Sequence, residues 1–289
     1  MSFAQPTGFA PGVRRSYDPC VFHIDSSTAA STQGLEALHF HSGTCGLRPY
    51  RRLPMPWSAL VVSLDDPGSW RPADQRDWRP FPKVALCTAT SVFSDAIDQK
   101  KGEYRRAIAL MEPWTAASLF GLAPWLVHDR VIDLAADRRA WAEDLVHDLG
   151  CQTSETAVLR RLATSLQGPR SVGLDDACSS FADAARKRSG SLHVGEAALA
   201  AGMPERTFRR HVAMGLGIAP KRWLRLQRVA ARLRELHPSS WTGFGEPAEY
   251  FDQAHELHEF ARMIGITPGR YRRLKAGGDR RVFAYDHEV

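Results

Sequence analysis

The sequence predicts an α+β multidomain protein: an N-terminal β-barrel-like domain with trailing helices, then an all-α domain built from two similar units joined by a long helix. Three observations predict this class. Short β-prone runs fill residues 20–95, and helical periodicity begins at Pro113. The phrase Gly-Ile-x-Pro-x-Arg-aromatic occurs twice, at residues 217–223 and 265–271. A self-similarity at fixed spacing is typical of a repeated structural unit.

Length and composition limit the classes of protein to which the chain can belong. Its 289 residues, 44% of them hydrophobic, suffice for two domains with cores. No apolar run approaches the roughly 20 residues of a membrane span, and the N-terminus lacks the pattern of a signal peptide. The five cysteines are scattered and form no CxxC pair, which argues against a disulfide framework. We therefore expect a cytoplasmic protein without a membrane partner.

The basic residues are concentrated in the last third of the chain. From Arg186 onward there are 19 basic and 11 acidic residues, a net charge of +8, whereas the preceding residues carry −2. A basic domain attached to a near-neutral one indicates a polyanionic partner, and a solvated basic surface is the alternative.

The N-terminal domain is predicted at residues 1–167. "CVFHID", "ALHFH", "SALVVSL" and "VALCTATSVF" are the predicted strands, separated by Gly, Pro, Asp and Ser. "PWTAASLFGL", "RAWAEDLVHDLG" and "SETAVLRRLATSLQ" are the predicted trailing helices. The Gly, Pro and Ser content of the segment that follows predicts a linker at 168–190.

The first repeated unit has the pattern of a helix-turn-helix. "VGEAALAAG" ends at Gly202, which suits a left-handed cap, and Pro204 suits the first turn of the next helix. In that helix Phe208 and Val212 are spaced to face inward, and three arginines lie on the other side. "PKRWLRLQRVAARLREL" then predicts one long helix, Pro220 to Leu236.

The second unit follows the same order with more irregular sequence. "WTGFGEPAE" is its predicted first helix, and Asp252 is the predicted N-cap of "QAHELHEFARMIG". Because the second helix of a helix-turn-helix enters the major groove, where Arg bonds guanine in a bidentate manner, the pattern predicts binding to duplex DNA. Two copies on one connector fit successive major-groove segments of one duplex.

Residues 191–274 resemble the C-terminal domain of AraC/XylS-type bacterial transcription regulators. The resembling stretches are "AALAAGMPERTFRRHVAMGLGIAPKRWLRLQRV" and "YFDQAHELHEFARMIGITPGRYRRL". The resemblance implies two helix-turn-helix subdomains within 191–275, followed by a tail at 276–289, and sequence-specific binding to promoter DNA. It implies base readers in the first unit at Arg206, Arg209 and Arg210. In the second unit it implies Gln253, Ala254, Leu257 and His258.

The N-terminal part resembles, more weakly, a sensing or dimerisation domain found on some of these regulators. The resembling stretches are "YRRLPMPWSALVVSL" and "LMEPWTAASLFGLAPWLVHDRVIDL". The resemblance implies RNA polymerase as a partner and leaves open a homodimer and a small-molecule effector. It implies no cofactor and no enzymatic activity, and the sequence contains no GxSxG, P-loop or GxGxxG motif.

Two features of the sequence suggest alternatives. Glu256 stands where the family has a large apolar residue, so we expect it to be exposed or paired, with Leu257, Phe260, Ala261 and Ile264 forming the inward stripe. The second feature is a cluster of possible metal ligands: Cys20, His23, His39, His41 and Cys45. These would make the protein a metal-binding β-barrel sensor or enzyme with an accessory helical domain. Their irregular spacing favours ordinary strand residues, and we expect no metal site.

Overall fold

A computed structural model describes residues 20–23, 35–45, 49–97, 102–126, 128–167, 176–236, 253–276 and 282–283. Strands dominate the first part and helices the second, in agreement with the coarse α+β prediction. The described strands are β1 (Cys20–His23), β2 (Leu35–Cys45), β3 (Tyr50–Arg52), β4 (Ser58–Ser63), β5 (Ser69–Pro72), β6 (Arg79–Pro80), β7 (Val84–Cys87), β8 (Ser94–Ile97), β9 (Gly102–Met111), β10 (Val131–Asp133) and β11 (Val282–Phe283). The described helices are α1 (Pro113–Leu119), α2 (Leu134–Asp137), α3 (Arg139–Gly150), α4 (Glu155–Ser165), α5 (Asp176–Lys187), α6 (Val194–Ala200), α7 (Glu205–Leu216), α8 (Pro220–Leu236), α9 (Gln253–Ile264) and α10 (Pro268–Ala276), with a 3₁₀ turn at Pro124–Leu126.

The strands form two sheets. One has the order β1-β2-β9-β4-β7-β10 and the other the order β11-β3-β8-β5-β6. All described pairs are antiparallel except β11 with β3. The expected barrel-like domain is therefore, in its described strands, a pair of separate sheets.

The centre of the six-stranded sheet is buried on both faces. Every residue of β4 is buried, and its side chains point alternately into two different cores. Ala59 and Val61 face the core that also contains Trp57 and Phe81. Leu60 and Val62 face a second core, which the helices α1, α3 and α4 complete. Alternation along a strand places successive side chains on opposite faces, and here each face is covered by another layer.

The central strand β9 was not predicted from the sequence. It lies between β2 and β4 and pairs with both. Its residues GEYRRAIALM include Glu, Arg, Ala, Leu and Met, which favour helices over strands. Pairing with two strands that are distant in sequence overrides that local preference.

The predicted linker at 168–190 is wrong over Asp176–Lys187, which forms helix α5. Its apolar face packs into the core formed with α6, α7 and the start of α8 through Phe181, whose ring meets that of Phe208 edge to face with centroids 5.6 Å apart. Small side chains hid this helix from the sequence reading, since Cys178, Ala182 and Ala185 complete the buried stripe. The predicted tail also contributes structure, because β11 adds a strand to the second sheet.

Candidate nucleic-acid interface

The repeated phrase has the same structural role in both units. Gly217 and Gly265 end α7 and α9 in the left-handed conformation, with φ of 74° and 77°. Pro220 and Pro268 begin the next helices, α8 and α10. The aromatic residue of each phrase, Trp223 or Tyr271, is fully buried in the core of its own unit. The phrase thus ends one helix, forms the turn, begins the next helix and places an aromatic side chain in the core.

The first unit consists of α6 and α7, separated by a tight turn. Gly202 is left-handed with φ of 64°, in agreement with its predicted role as a cap. Helix α7 begins at Glu205, one residue after Pro204. Phe208, Val212 and Leu216 recur one turn apart and are all buried. This stripe fixes which face of α7 points to solvent.

The predicted arginines lie away from that buried stripe. Arg206 and Arg210 are exposed, and Arg209 is partly exposed. Arg209 forms an ion pair with Glu205 one turn earlier, in which Nε donates to Oε1 at 2.7 Å and Nη2 donates to the same oxygen. Sequence reasoning missed Glu205, although the i, i+4 spacing of opposite charges was visible.

Helix α8 has the predicted bounds and belongs to both units. Trp223 and Leu224, near its start, pack in the core of the first unit. Leu226, Val229 and Leu233 pack further along with α9 and α10. One helix therefore shares its apolar surface between two cores, which makes it a connector of defined geometry.

The second unit is described from Gln253 onward. Phe260, Met263 and Ile264 of α9 are buried, so two members of the expected inward stripe are correct. Leu257 is 49% exposed, and this part of the stripe is wrong. His258 is also exposed. The side chains of Gln253, Ala254 and Glu256, the predicted cap Asp252 and the helix predicted at 241–249 lie outside the described residues.

The buried carboxylate of α9 is Glu259, which sequence reasoning did not single out. Its side chain is 3% exposed and forms ion pairs with Arg225 and, at 3.6 Å, with Arg228, both on the connector α8. Arg228 also donates from Nη1 to the Gly190 carbonyl at 3.0 Å. A buried carboxylate requires such partners. The pairs join α9 to α8, and Arg228 extends this network to the turn after α5.

The N-terminal β-rich part, residues 20–167 where described, is called the N-terminal module below. It contacts the first unit at the end of α7. A Cβ on Gly217 would stand 2.0 Å from the Pro124 carbonyl oxygen, so only glycine permits this approach. The rings of Trp114 and Trp223 lie 6.3 Å apart across the same junction. The module is therefore packed closely against this unit.

A polar network lies beside this junction. Arg222 of α8 donates to Asp129 and to the Ser91 hydroxyl of the module. Asp129 also accepts from the Ser91 backbone N–H at 2.6 Å, and His128 Nε2 lies 3.3 Å from its Oδ2. Burial lowers the pKa of His128 below its ordinary 6.5; the Asp129 charge opposes this shift, and the Arg222 charge adds to it.

The module contacts the second unit at the equivalent point, the end of α9. The Phe93 backbone N–H donates to the Met263 carbonyl at 2.9 Å, and Arg51 Nη1 donates to the Ile264 carbonyl at 3.4 Å. Carbonyls in the last turn of a helix have no partner within the helix and attract cations. A Cβ on Gly265 would stand 2.4 Å from Arg51 Nη1. The module thus meets both units at the glycine of the repeated phrase.

The candidate metal ligands are only partly described. The rings of His39 and His41 lie 6.2 Å apart, edge to face, on β2. The side chains of Cys20, His23 and Cys45 lie outside the described residues. Within the described ranges, no three His, Cys, Asp or Glu side chains are grouped as metal ligands require. In the same ranges, every helix is too short or too polar to cross a bilayer.

Comparison with known proteins finds neither a matching family model nor a matching curated protein. Among solved structures the chain is similar to ToxT from Vibrio cholerae O395, with 9% identity and a TM-score of 0.45, covering 82% of this chain and 98% of that one. It is also similar to unsaturated fatty acid bound wild-type ToxT from Vibrio cholerae strain SCE256, with 8% identity and a TM-score of 0.45, covering 83% and 95%. With TM-scores below 0.5, these likenesses support no inference about activity or ligand.

Proposed function

We propose that the protein is a bacterial, cytoplasmic, sequence-specific transcription regulator of the AraC/XylS type that reads promoter DNA in the major groove. The observation that carries the proposal is the architecture of α7: a solvent-facing arginine row above a fully buried apolar stripe, in a helix-turn-helix on a basic domain. The repeated phrase, with its matching glycine, proline and buried aromatic residue, supports a second reading unit at α9.

In this proposal the two units differ in their chemistry. Arg206, Arg209 and Arg210 are the base readers of α7, and arginine suits guanine because its planar group donates two parallel hydrogen bonds to O6 and N7. For α9 the proposed readers are Gln253, Ala254, Leu257 and His258. Their side chains offer fewer bidentate contacts, so we propose that the first unit contributes most of the sequence preference.

The N-terminal module is proposed to regulate DNA binding. Its contacts with the ends of both α7 and α9 support this role, because a module that touches both reading helices can favour one arrangement of the two. A small-molecule effector, a second copy of the chain and RNA polymerase are the proposed further partners. We propose no enzymatic role and no cofactor.

The test is selection from a randomised duplex DNA library by the full chain, followed by titration of the selected sequence at several salt concentrations. We expect one preferred sequence, with an affinity that falls steeply with salt because phosphate contacts release counterions. Arg209→Ala is expected to cost about 1–3 kcal/mol of discrimination at one or two positions, and Gln253→Ala distinctly less. Arg139→Ala is the control, since Arg139 forms the same kind of i, i+4 ion pair, with Glu143, in the module.

Two results would contradict the proposal. The absence of any selected sequence excludes sequence-specific reading. A loss in Arg209→Ala that is uniform across all sequences assigns Arg209 to the phosphate backbone, which carries no sequence information.

A further inference from the structure

Glu205 is an unexpected residue on the face proposed to meet DNA. It is the first residue of α7, one turn before Arg209, and its side chain is 47% exposed. A carboxylate at this position is repelled by the phosphates of a duplex, so it weakens the general electrostatic attraction. The contacts of Glu205 identify a benefit that can offset this repulsion.

The hydrogen bonds between Glu205 and Arg209 suggest that benefit. Glu205 Oε1 accepts from Nε at 2.7 Å and from Nη2 of the same guanidinium. A guanidinium has five N–H groups in one plane. When Nε and one N–H of Nη2 donate to Glu205, the opposite edge of the guanidinium still has one N–H on each Nη nitrogen. Those two parallel donors match the O6 and N7 acceptors of guanine.

The carboxylate also lies close to the first helix of the unit. A Cβ on Gly195, in α6, would stand 3.3 Å from Glu205 Oε2, which is tight for such a contact. The carboxylate therefore lies between α6 and the Arg209 side chain. A long arginine loses rotamer freedom when it binds, and holding it in advance lowers that cost.

We propose that Glu205 is a positioning residue that orients Arg209 for bidentate recognition of one guanine, and that it thereby determines specificity in the first unit. The proposal rests on the proposed DNA-binding function. A purely structural role is the competing explanation, because a negative charge in the first turn of a helix interacts favourably with the helix dipole. That role changes the stability of α7 and predicts no effect on the preference for a particular base.

The experiment selects from a randomised duplex library with the full-length wild type and with Glu205→Gln, Glu205→Asp and Glu196→Gln. Arg209→Ala identifies the guanine read by Arg209. We expect Glu205→Gln to lower the preference for that guanine by about 5-fold or more, which is the scale of one bidentate contact. Its binding to unselected DNA should rise slightly, because one repelling charge is removed.

The other variants separate position from charge. Glu205→Asp keeps the charge at the helix start but is shorter by one methylene, so we expect it to lose the same preference. Glu196→Gln removes a comparable exposed charge from α6, where Glu196 lies 3.8 Å from Arg188, and should leave the preference unchanged. Thermal unfolding of each variant confirms that the compared proteins are folded.

Each outcome decides the proposal. If Glu205→Gln keeps the wild-type preference for that guanine, neither the charge nor the ion pair of Glu205 affects base reading, and positioning is overturned. If Glu205→Asp retains the preference while Glu205→Gln loses it, positioning is overturned in favour of a charge effect. A wild-type protein that selects no sequence overturns the proposed function as well. A wild-type preference that persists in Glu205→Gln overturns only this inference.

Discussion

Replacing Gly217 with alanine should destabilise the contact between the N-terminal module and the first unit, and a matched glycine isolates the cause. Gly202 and Gly217 are both left-handed, with φ of 64° and 74°. An alanine in this conformation costs about 1–2 kcal/mol at either position. At Gly202 the added Cβ meets no atom within 4 Å, so Gly202→Ala measures this strain alone.

At Gly217 the added Cβ would lie 2.0 Å from the Pro124 carbonyl oxygen and 2.5 Å from its carbon. These are backbone atoms, which cannot rotate away, so the 3₁₀ segment or the end of α7 must move by about 1 Å to reach the 3.0 Å that Cβ contacts require. Overpacking of this kind costs about 1–3 kcal/mol in addition. We expect a total loss of about 2–5 kcal/mol for Gly217→Ala.

Urea unfolding followed by far-ultraviolet circular dichroism measures both variants. Gly265→Ala should lose an intermediate amount of unfolding free energy, because its Cβ would meet the side chains of Arg51 and Phe93, which can rotate away. The expected order of destabilisation is Gly202→Ala, then Gly265→Ala, then Gly217→Ala. Equal losses at Gly202 and Gly217 would refute the close packing of Pro124 on the end of α7.

Three further predictions test other features of the fold. Phe181→Ala should cost about 3–5 kcal/mol of unfolding free energy, because the Phe181 ring is buried against Phe208. A loss below about 0.5 kcal/mol would indicate that α5 is a linker after all. Because burial lowers the pKa of His128, the unfolded chain binds more protons between that pKa and 6.5. Stability should therefore fall as pH drops below 6.5, and His128→Gln should remove that part of the slope in urea titrations at several pH values. Arg225→Met should cost about 2–3 kcal/mol of unfolding free energy, because it leaves the buried Glu259 with one ion-pair partner fewer. Adding Glu259→Met should recover part of that loss. If the losses of the two single variants simply add in the double variant, the residues are not coupled.

The features of the candidate site that depend on neighbouring residues could be predicted from the sequence. The bounds of α8, the left-handed Gly202 and the inward Phe208 and Val212 all follow from periodicity and from the conformational preferences of glycine and proline. The repeated phrase likewise predicted a repeated structural unit. These features depend on residues within one or two turns, so the nearby sequence contains the necessary information.

The rest depended on partners far away in the chain. Leu257 was expected inside and lies outside, because the inward face of α9 is set by Phe260, Met263 and the pairing of Glu259 with α8. Glu259 can be buried because Arg225, 34 positions earlier in the chain, forms an ion pair with it. No periodicity within α9 indicates such a contact.

The sequence by itself determined the change from a strand-rich part to a helical part, the repeated phrase, the connector helix and the arginine row of α7. Each of these is encoded in local spacing and residue type. Only the tertiary structure decided that residues 102–111 form a central strand, that α5 belongs to the first unit, and that the module meets Gly217 and Gly265 alike. Strand pairing and close backbone approach arise between segments brought together by folding, and their energies exceed the local preferences on which a sequence reading depends.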